Sequence, residues 1–600
     1  MTDRASPMGL RKRWHILPVA PSQQFSALPH LSPLVVQVLY NRGLREPGEV
    51  DAFLYDIQGL EADPFLLSDM EPAVARLRRA VERDETVGVF GDFDVDGVAG
   101  TALLAQYLSH QGVRVVPYIP HRGREGYGLN RGALEYLRDE GVQLVVTVDC
   151  GTGSAEEVRY ASTLGLDVIV TDHHSIPLGE AHEPPLQEPP RHAPSLREPP
   201  LQEPHLPPAL AVVNPRRADS SYPYRELSGT GVAYKLAQAL SVSLDDGEAN
   251  VEDFLDLAAL GTIVDMVPLT GENRLLARRG LDVLNTSPRL GLRELMRSAR
   301  LDPGRVDAHA VSYSLGPRLN SAGRLDHAMA SYRLLTTNSL PEAQEIAAAL
   351  EGQNSLRQRL TREGLERARE EAMAQVKQFP ILVVGDSSLA PGVIGLVASR
   401  LSEEFYRPSF VLEVGDSVSR GSARSIPEFD VHWALSQCSD LLVRFGGHPQ
   451  AAGFTVRNDN LGALRQRLVR LAEVSLAGVT LEPSLTVDAQ FRLDRLNWDV
   501  MRFIQGLEPF GKGNPHPTFL SRGVRVVDCR KAGQDHLRLK LHDGRLTWPA
   551  IAFGFGDICG VAAGSRLDVV YRIGVDSWNG EETLRLEVED MRESPRGGQA

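Results

Sequence analysis

The clearest pattern along the chain is an alternation of short apolar runs with helical segments between residues 86 and 171. The four runs, rich in β-branched residues, are TVGVF (86–90), VRVVPYI (113–119), VQLVVTV (142–148) and LDVIVT (166–171). Segments with a helical pattern, such as GVAGTALLAQYLSHQG, lie between them. Strands that are apolar throughout and alternate with helices are typical of a parallel sheet covered on both faces. The pattern therefore predicts an α/β fold, whose functional residues lie beyond the carboxyl ends of the strands.

Changes in the pattern divide the chain further. A long polar helical stretch (340–376) is interpreted as a connector, after which α/β character returns at FPILVVGD (379–386). The last part is rich in short strands and Gly, Asp and Asn turns, which is typical of a small β-barrel such as an OB-fold. The predicted divisions are 1–84 (helical lead-in), 85–335 (first α/β domain), 336–378 (connector helix), 379–478 (second α/β domain), 479–592 (barrel) and 593–600 (tail).

A proline-rich insertion interrupts the first α/β domain at about 177–208. Within it, HEPPLQEP (182–189) recurs closely as REPPLQEP (197–204). Because the segment is nearly free of aromatic residues, the composition predicts a disordered insertion.

Composition limits the class of protein. The 600 residues suggest about four domains, and a content of 42% apolar and 24% charged residues is ordinary for a globular protein. Four widely separated cysteines form no CxxC motif, which argues against a zinc knuckle or a disulfide framework. Since the net charge is −14, any nucleic-acid site must carry local positive charge. No run is apolar enough for a membrane span and the N-terminus lacks a signal core, so we expect a cytoplasmic protein.

Acidic and imidazole side chains follow the apolar runs. They are found in GDFDVDG (91–97), at Asp149 after the third run, at Asp172, His173 and His174 after the fourth, and at Asp265 after LAALGTIV. Any one of them is also compatible with a helix cap or a turn. We interpret all four groups as strand ends, where the side chains would meet at one edge of a sheet.

Converging carboxylates repel one another unless a cation neutralises them. Carboxylates combined with imidazoles suit Mn²⁺, Mg²⁺ or a similar divalent ion, and so many ligands exceed the needs of one ion that keeps its waters. Two metal ions about 3.5–4 Å apart can act on both the attacking and the leaving oxygen of a phosphoryl transfer. The sequence therefore predicts a two-metal site in which water is the nucleophile.

The motifs also resemble those of a known family. In order, GDFDVDG, VDCGT, TDHH and GTIVD are similar to the four motifs of the DHH phosphoesterase superfamily. LGPRLNSAGR, GSARSI, FGGHPQAAGF and LEPFGKGNPHPTF resemble later motifs of the RecJ family of bacterial single-stranded-DNA exonucleases. The resemblance covers about 85 to 590 and implies a DHH domain, a DHHA1 domain and a C-terminal OB-fold.

The resemblance implies an activity and partners. The activity is that of a metal-dependent exonuclease that degrades single-stranded DNA 5′→3′ to 5′-mononucleotides in recombination and repair. The cofactors are two divalent ions, Mn²⁺ or Mg²⁺. Single-stranded-DNA-binding protein and a RecQ-type helicase are the protein partners that the family suggests, and we expect a monomer without membrane contact.

The resemblance implies a ligand set by motif position. Asp96, Asp149, His173 and Asp265 resemble the ligands of one ion, while Asp94 and Asp149 resemble ligands of the second, with Asp149 bridging. Asp92 and His174 are nearby candidates, and His174 either binds the second ion, holds the scissile phosphate or orients a ligand. Some family members have a histidine ligand four residues before the position of Asp94. Phe90 stands there in this chain, which predicts a second ion held more loosely or with more water.

The resemblance also implies how a DNA end is held. Arg122, ahead of GYG, and Ser422 and Arg424 of GSARS resemble residues that bind the terminal phosphate, for which the guanidinium fork is suited. Further predicted substrate contacts are Arg318, Asn320, Arg324, Gly446, Gly447 and His448, with His448 near the scissile phosphate. Basic residues predicted to track the strand on the barrel are Arg522, Arg525, Arg530, Lys531, Arg538 and Lys540.

Two other functions compete with this interpretation. A DHH phosphodiesterase acting on short oligonucleotides or cyclic dinucleotides would need neither the barrel nor the long connector. A non-catalytic DNA-binding scaffold, like inactive relatives in replication complexes, would lack metal ligands that this chain keeps. Cleavage of a long strand compared with a dinucleotide tests the first, and an assay with and without EDTA tests the second.

Overall fold

The structure, a computed structural model, describes residues 12–176, 205–244, 250–533, 535–556, 561–578 and 581–595. The chain forms two compact units, which we name by their place in the sequence. The central unit contains residues 55–354 and 509–515, and the flanking unit contains 1–54, 355–508 and 516–600. Most of the predicted proline-rich insertion, residues 177–204, lies outside the described residues.

The first elements of the flanking unit are a short strand and three helices: β1 (Arg13–Ile16), α1 (Ser22–Ala27), α2 (Pro33–Asn41) and α3 (Pro47–Leu54). The predicted helical lead-in also contains the strand β1, which pairs in parallel with residues Ser484–Val487. A pairing partner more than 460 residues away leaves no local signal in four residues, because the strand is stabilised by long-range contacts.

The central unit is built on a five-stranded sheet with the order β3-β2-β4-β5-β6, in which every pairing is parallel. Its strands are β2 (Thr86–Gly91), β3 (Val115–Tyr118), β4 (Val142–Val148), β5 (Asp167–Thr171) and β6 (Ala211–Val213). The predicted strands are therefore confirmed as a parallel α/β sheet. The short β6, which follows the insertion, was not predicted.

Helices surround this sheet. Those that begin in the central unit are α4 (Met70–Glu82), α5 (Val95–His110), α6 (Arg131–Asp139), α7 (Ala155–Thr163), α8 (Gly229–Leu244), α9 (Leu255–Val264), α10 (Gly271–Thr286), α11 (Leu290–Ser298), α12 (Ala308–Ala310), α13 (Gly316–Leu325), α14 (Met329–Thr336) and α15 (Leu340–Gln375). A π-helical turn, Val311–Leu315, joins α12 to α13. The apolar strands are buried on both faces, since Val87 and Val89 belong to one core cluster and Val145 and Val168 to another.

The long helix α15 matches the predicted connector, and a mixed sheet follows it in the flanking unit. The elements of this α/β part are β7 (Leu382–Asp386), α16 (Ile394–Phe405), β8 (Ser409–Glu413), β9 (Val418–Arg424), α17 (Val431–Ser436), β10 (Leu442–His448), β11 (Ala451–Arg457) and α18 (Leu461–Ser475). The strand order is β10-β11-β9-β8-β7, with only β7 and β8 parallel.

The remainder forms the predicted barrel. Before it, β12 (Ser484–Val487) pairs with β1 in a separate two-stranded sheet. The elements that follow are β13 (Ala489–Gln490), α19 (Trp498–Gly506), β14 (Phe519–Ala532), β15 (His536–His542), β16 (Thr547–Phe553), β17 (Arg566–Trp578) and β18 (Glu581–Glu593). The order β14-β15-β16-β18-β17 closes because β14 also pairs with β17. Across the part of the chain that the structure describes, no helix is both long and apolar enough to span a membrane.

Candidate metal centre

The first acidic motif lies between strand β2 and helix α5 of the central unit. Asp94 caps the helix, because its Oδ1 accepts the N–H groups of Asp96 (2.9 Å) and Gly97 (3.3 Å). Asp96 therefore lies in the first helical turn. A Cβ at Gly97 would lie 2.4 Å from the backbone nitrogen of Asp92, so only glycine permits this close turn. The motif thus forms a strand–turn–helix junction on which three carboxylates are grouped.

Asp149 and the histidine pair follow the two adjacent strands β4 and β5. Asp149 is 3% exposed and has a left-handed backbone with φ of 62°, and its N–H donates to the Thr171 carbonyl (3.1 Å). Next to β5, Asp172 accepts the N–H groups of His173 (2.8 Å) and His174 (3.1 Å) through Oδ1 and that of Thr152 (2.9 Å) through Oδ2. These bonds fix the turn from which both imidazoles project.

Asp265 reaches the site in a different way from the one predicted. It follows helix α9, not a strand, so the expectation of four strand ends is wrong at this position. Nine of the ten residues of α9 are buried, so the helix has no polar face to mark its period. An apolar run of this kind cannot be assigned to a strand or a helix by periodicity alone.

All seven predicted metal ligands nevertheless come together. His173 Nε2 lies 3.1 Å from Asp149 Oδ1, 3.7 Å from Asp265 Oδ2 and 3.9 Å from Asp96 Oδ2. Three overlapping sets have potential ligand atoms within 4.8 Å of one another: Asp96 with His173 and Asp265, Asp149 with His173 and His174, and Asp92 with Asp94 and Asp149. Asp149 and His173 each belong to two of these sets, which matches a site for more than one ion.

The donor atoms fit divalent cations. Asp92 Oδ1, Asp149 Oδ1 and both ring nitrogens of His173 are buried and make no hydrogen bond. Such atoms are costly to bury unless a ligand satisfies them. Burial, followed by the charge of a neighbouring aspartate, raises the pKa of Asp92 and of Asp149 well above the usual range. A cation would remove this repulsion and complete the coordination of the orphaned atoms.

The imidazoles of the two histidines have pKa values shifted in opposite directions. Burial lowers the pKa of His173, which keeps its ring neutral and able to bind a metal. Burial acts in the same direction on His174, but its hydrogen bond with Asp172 and that carboxylate's charge raise the pKa to about 9. His174 Nδ1 lies 2.8 Å from Asp172 Oδ1 and 3.1 Å from the Tyr127 hydroxyl. These two contacts occupy Nδ1 of His174, so Nε2 is the ring nitrogen that remains for a ligand.

We expect divalent metal binding to release protons and to tighten as the pH rises. Burial and the charge of Asp96 raise the pKa of Asp265 to about 8, so this carboxyl is mostly protonated at neutral pH in the metal-free protein. Since a cation binds the carboxylate, its affinity should increase from about pH 6 to about pH 9. Calorimetry with Mn²⁺ in two buffers of different ionisation enthalpy measures the released protons. Equal heats in both buffers at neutral pH would contradict the prediction.

Three residues that support the site were not among the predicted metal ligands and substrate contacts. Asp172 orients His174, and the hydroxyl of Tyr127 also donates to the Asp149 carbonyl (3.1 Å). The pKa of Asp265 is raised by burial and by the neighbouring aspartates, and the positive charge of Lys512 partly opposes this rise. The Lys512 carbonyl accepts the Leu269 N–H (2.7 Å). The position of Asp172 directly before two histidines was a usable signal, whereas nothing local links Lys512 to residue 265.

Phe90 and Arg122 both lie next to the first acidic motif. Phe90 is fully buried and stacks on Tyr118 (5.4 Å between ring centroids), so it belongs to the core beneath the site. The guanidinium of Arg122 lies 5.0 Å from the centre of the Phe93 ring, in the turn between Asp92 and Asp94. Arg122 is thus beside the acidic cluster, with its side chain stacked on an aromatic face.

The three predicted contacts on helix α13 have other partners in the fold. Arg318 pairs with Glu351 (2.5 Å) and donates to the Ser314 carbonyl (2.8 Å). Asn320 Oδ1 accepts the Val95 N–H (3.2 Å), which ties α13 to the first turn of α5. Arg324 lies in the last turn of α13. Their role in phosphate binding stays a prediction.

The remaining predicted contacts meet in the mixed sheet of the flanking unit. Strand β11 lies between β9 and β10, and its Gly453 pairs with Ser422 on one side and Gly446 on the other. Arg424 and His448 both pair with Ala451 one step further along. Arg424 Nη1 donates to Ser422 Oγ (3.1 Å). The sheet thus brings Ser422, Arg424, Gly446, Gly447 and His448 together.

Three family models match the chain. They are the DHH family N-terminal domain over residues 86–194, the DHHA1 domain over 376–473 and the RecJ OB domain over 487–590. Their order agrees with the central sheet, the mixed sheet and the barrel.

Similarity to individual proteins extends over almost the whole chain. The single-stranded-DNA-specific exonuclease RecJ of Bacillus subtilis (strain 168) is 35% identical over 566 residues, covering 94% of this chain and 68% of the relative. The crystal structure of RecJ from Thermus thermophilus in complex with Mn²⁺ has 30% sequence identity and a TM-score of 0.79, covering 98% of this chain and 81% of that one. The crystal structure of the same protein in complex with Mg²⁺ has 28% sequence identity and a TM-score of 0.75, covering 98% and 80% of the two chains.

Proposed function

Since the chain belongs to the RecJ family of single-stranded-DNA-specific exonucleases, we propose that it is a metal-dependent exonuclease that hydrolyses single-stranded DNA. The observation that carries this proposal is the convergence of five aspartates and two histidines, with buried donor atoms that lack hydrogen bonds. In this proposal residues 85–335 are the catalytic domain, 336–378 are the connector, 379–478 are a second substrate-binding domain and 479–592 are the DNA-binding barrel.

Two divalent ions, Mn²⁺ or Mg²⁺, are the proposed cofactors. Asp96, Asp149, His173 and Asp265 would hold one ion, and Asp94 and Asp149 would hold the other, with Asp92 beside it. When bound, the ions activate the attacking water as a nucleophile and stabilise the charge on the leaving oxygen.

The protein side chains orient these ligands and the substrate. Asp172 and Tyr127 hold His174 through Nδ1, so that Nε2 can bind the second ion or donate to the scissile phosphate. The N–H groups of Gly229 (2.6 Å) and Thr230 (2.9 Å) each donate to one oxygen of Asp96, which fixes that carboxylate. A Cβ at Gly229 would lie 2.5 Å from Cβ of Asp149, so a larger residue there would displace the proposed bridging ligand.

We propose that the enzyme degrades the strand from its 5′ end and releases 5′-mononucleotides. Arg122 supports this because its guanidinium is held on Phe93 beside the acidic cluster. Ser422 and Arg424 support it because their side chains form a joined donor pair suited to a phosphate. Arg318, Asn320, Arg324 and the Gly446–Gly447–His448 segment are further proposed substrate contacts.

Digestion of 5′-labelled and 3′-labelled DNA tests both activity and polarity. With Mn²⁺ or Mg²⁺, a long single strand labelled at its 5′ end should release labelled mononucleotide at once, and a 3′ label should be released late. Duplex DNA and a dinucleotide should be poor substrates. Preference for the dinucleotide would favour the alternative phosphodiesterase, and no cleavage with either metal would favour a binding scaffold.

The barrel is the proposed binding surface for the rest of the strand. On β15, Leu537, Leu539 and Leu541 are buried and alternate with exposed Arg538 and Lys540. We expect binding of single-stranded DNA to weaken steeply with salt, because phosphate contacts displace counterions. Replacing both Arg538 and Lys540 by alanine should lower the slope of log K against log salt by about 0.7 for each phosphate that is no longer neutralised.

Fluorescence anisotropy of a labelled oligonucleotide between 50 and 300 mM salt (roughly the useful range) measures this slope. The control is Arg502→Ala on helix α19, an exposed arginine that pairs with Asp499. An equal slope for the double variant and the wild-type protein would rule out these two contacts.

We propose that the protein acts as a monomer in the cytoplasm. Single-stranded-DNA-binding protein and a RecQ-type helicase are its proposed partners, on the strength of the family to which the chain belongs. Co-purification of the full chain with each candidate, with and without nuclease treatment, separates direct contact from contact through DNA.

A further inference from the structure

One face of the mixed sheet carries a second cluster of cationic and hydroxyl groups beyond the predicted substrate contacts. Residues that pair directly in antiparallel strands project to the same face. Three consecutive rows on this face run across β9, β11 and β10: Arg424–Ala451–His448, Ser422–Gly453–Gly446 and Arg420–Thr455–Arg444. The alternate residues Ala423, Ala452 and Phe454 point to the opposite face, where they belong to the core.

The middle row leaves free space between the two outer rows, because Gly453 and Gly446 have no side chains. A Cβ built on Gly446 or on Gly453 would meet no heavy atom within 4 Å. Each row is one two-residue step of about 6.8 Å along the strands, so Arg420 lies about two such steps from Arg424. A step of this size is similar to the length of one extended nucleotide repeat.

The third row is shaped by a β-bulge. The register shifts between Leu442 and Arg444, so Val443 is the additional residue on the edge strand β10. Bulges re-aim side chains, and here both Val443 (58% exposed) and Arg444 border the same groove. Arg444 Nε donates to Thr455 Oγ1 (3.3 Å), which holds the guanidinium over the row.

The groove has a volume of about 560 Å³ and combines charge with apolar surface. Its lining residues are Pro391, Glu413, Val418, Arg420, Val443, Arg444 and Thr455. Glu413 pairs across the strands with Arg420, so two guanidinium groups face one carboxylate and the groove is positive by one charge. The guanidinium forks and the hydroxyl suit a phosphate, and the two valines suit a sugar or a base.

We propose that Arg420, Arg444 and Thr455 form a second phosphate-binding site, separated from Arg424 by the row that contains Ser422 and the two glycines. Its ligand is the phosphate of a nucleotide, which belongs either to the DNA strand or to a released mononucleotide. The identity of the ligand rests on the proposed function, because nucleotides are the substrate and product of that reaction. The site itself rests on the register, the bulge and the charge of this sheet face.

The test is the double variant Arg420→Ala/Arg444→Ala in the full-length protein. The matched control is Arg470→Ala, an exposed arginine on α18, whose Leu464 and Leu468 pack in the core on the opposite face of the sheet. We measure kcat and KM with Mn²⁺ on a long 5′-phosphorylated single strand, and the inhibition constant for deoxyadenosine monophosphate. Circular dichroism and the unfolding temperature establish that each variant is folded.

If the phosphate comes from the strand, KM should rise about tenfold with kcat within about twofold of the wild-type value. If it comes from released product, KM should stay unchanged and the mononucleotide should inhibit about tenfold less strongly. The variant Arg420→Lys/Arg444→Lys should lie between, because it keeps the charge but not the fork. Values equal to those of Arg470→Ala in both measurements would overturn the proposal.

Failure of the proposed function has a separate signature. If the wild-type protein does not cleave DNA, binding of the labelled strand and of the mononucleotide in EDTA still compares the double variant with the control. Weaker binding of either ligand by the double variant alone would then support the second phosphate site. Equal binding would overturn it.

Discussion

Replacing Asp149 by asparagine is expected to lower the rate of single-stranded-DNA cleavage by about 10³-fold or more. Asp149 belongs to two of the three possible ligand sets, and its buried Oδ1 has no hydrogen bond. An amide at this position cannot provide the negative charge that both proposed ions share. Initial rates with Mn²⁺ and with Mg²⁺ on a labelled single strand measure the effect.

Asparagine is preferred to alanine because Asp149 has a left-handed backbone with φ of 62°. Asparagine tolerates this conformation, whereas alanine adds strain that would confuse loss of chemistry with loss of fold. In EDTA the variant should unfold at the same temperature as the wild-type protein or higher, because one of several repelling carboxylates has been removed. Full activity of Asp149→Asn would exclude this residue as a metal ligand.

Asp84→Asn is the matched control. Asp84 is exposed and also has a positive φ, 51°, but it lies just after α4 and is not one of the clustered acidic residues. The same substitution on the same kind of backbone should therefore leave the cleavage rate within about twofold. A comparable loss in both variants would indicate a general effect of the substitution.

Removal of divalent metal is expected to abolish cleavage about as fully as the Asp149 substitution, and to do so reversibly. Without a cation the clustered carboxylates take up protons, since burial and mutual repulsion raise the pKa of Asp92, Asp94, Asp149 and Asp265. Dialysis against EDTA followed by addition of Mn²⁺ or Mg²⁺ should restore the initial rate. The restored rate should depend on metal concentration with saturation.

Metal should also stabilise the central unit. A ligand that binds only the folded state adds about 2.7 kcal/mol at a concentration of about 100 times its dissociation constant. We therefore expect Mn²⁺ to raise the unfolding temperature of the wild-type protein and to raise it less in Asp149→Asn. EDTA saturated beforehand with Mg²⁺ is the control for direct effects of the chelator. Cleavage that persists in excess EDTA would rule out a metal-dependent mechanism.

Strand positions in the central sheet could be predicted from the sequence because the signal is local. The runs at 86–90, 142–148 and 166–171 coincide with β2, β4 and β5 to within one residue at each end. Strands buried on both faces must be apolar along their whole length, so their boundaries are visible without knowledge of their neighbours. The short β6, with only three residues, offers too little sequence for such a pattern.

The apolar run before Asp265 illustrates the limit of this signal. A helix buried on every side lacks the polar positions that define a period of about 3.6 residues. Helix α9 is of this kind, and its sequence therefore resembles a buried strand. The prediction of a metal ligand at Asp265 is compatible with the structure, although the preceding segment is a helix and not the predicted strand.

The sequence by itself determined the parallel α/β core, the order of the domains and the residue types that gather at the proposed metal site. These depend on local apolar pattern and on motifs of a few residues. Only the tertiary structure decided that Asp172 and Tyr127 orient His174, that Lys512 acts on Asp265 and that β1 pairs with β12. Contacts between distant residues depend on how the whole core packs. The local sequence pattern of a segment therefore does not predict which distant residues the segment will contact.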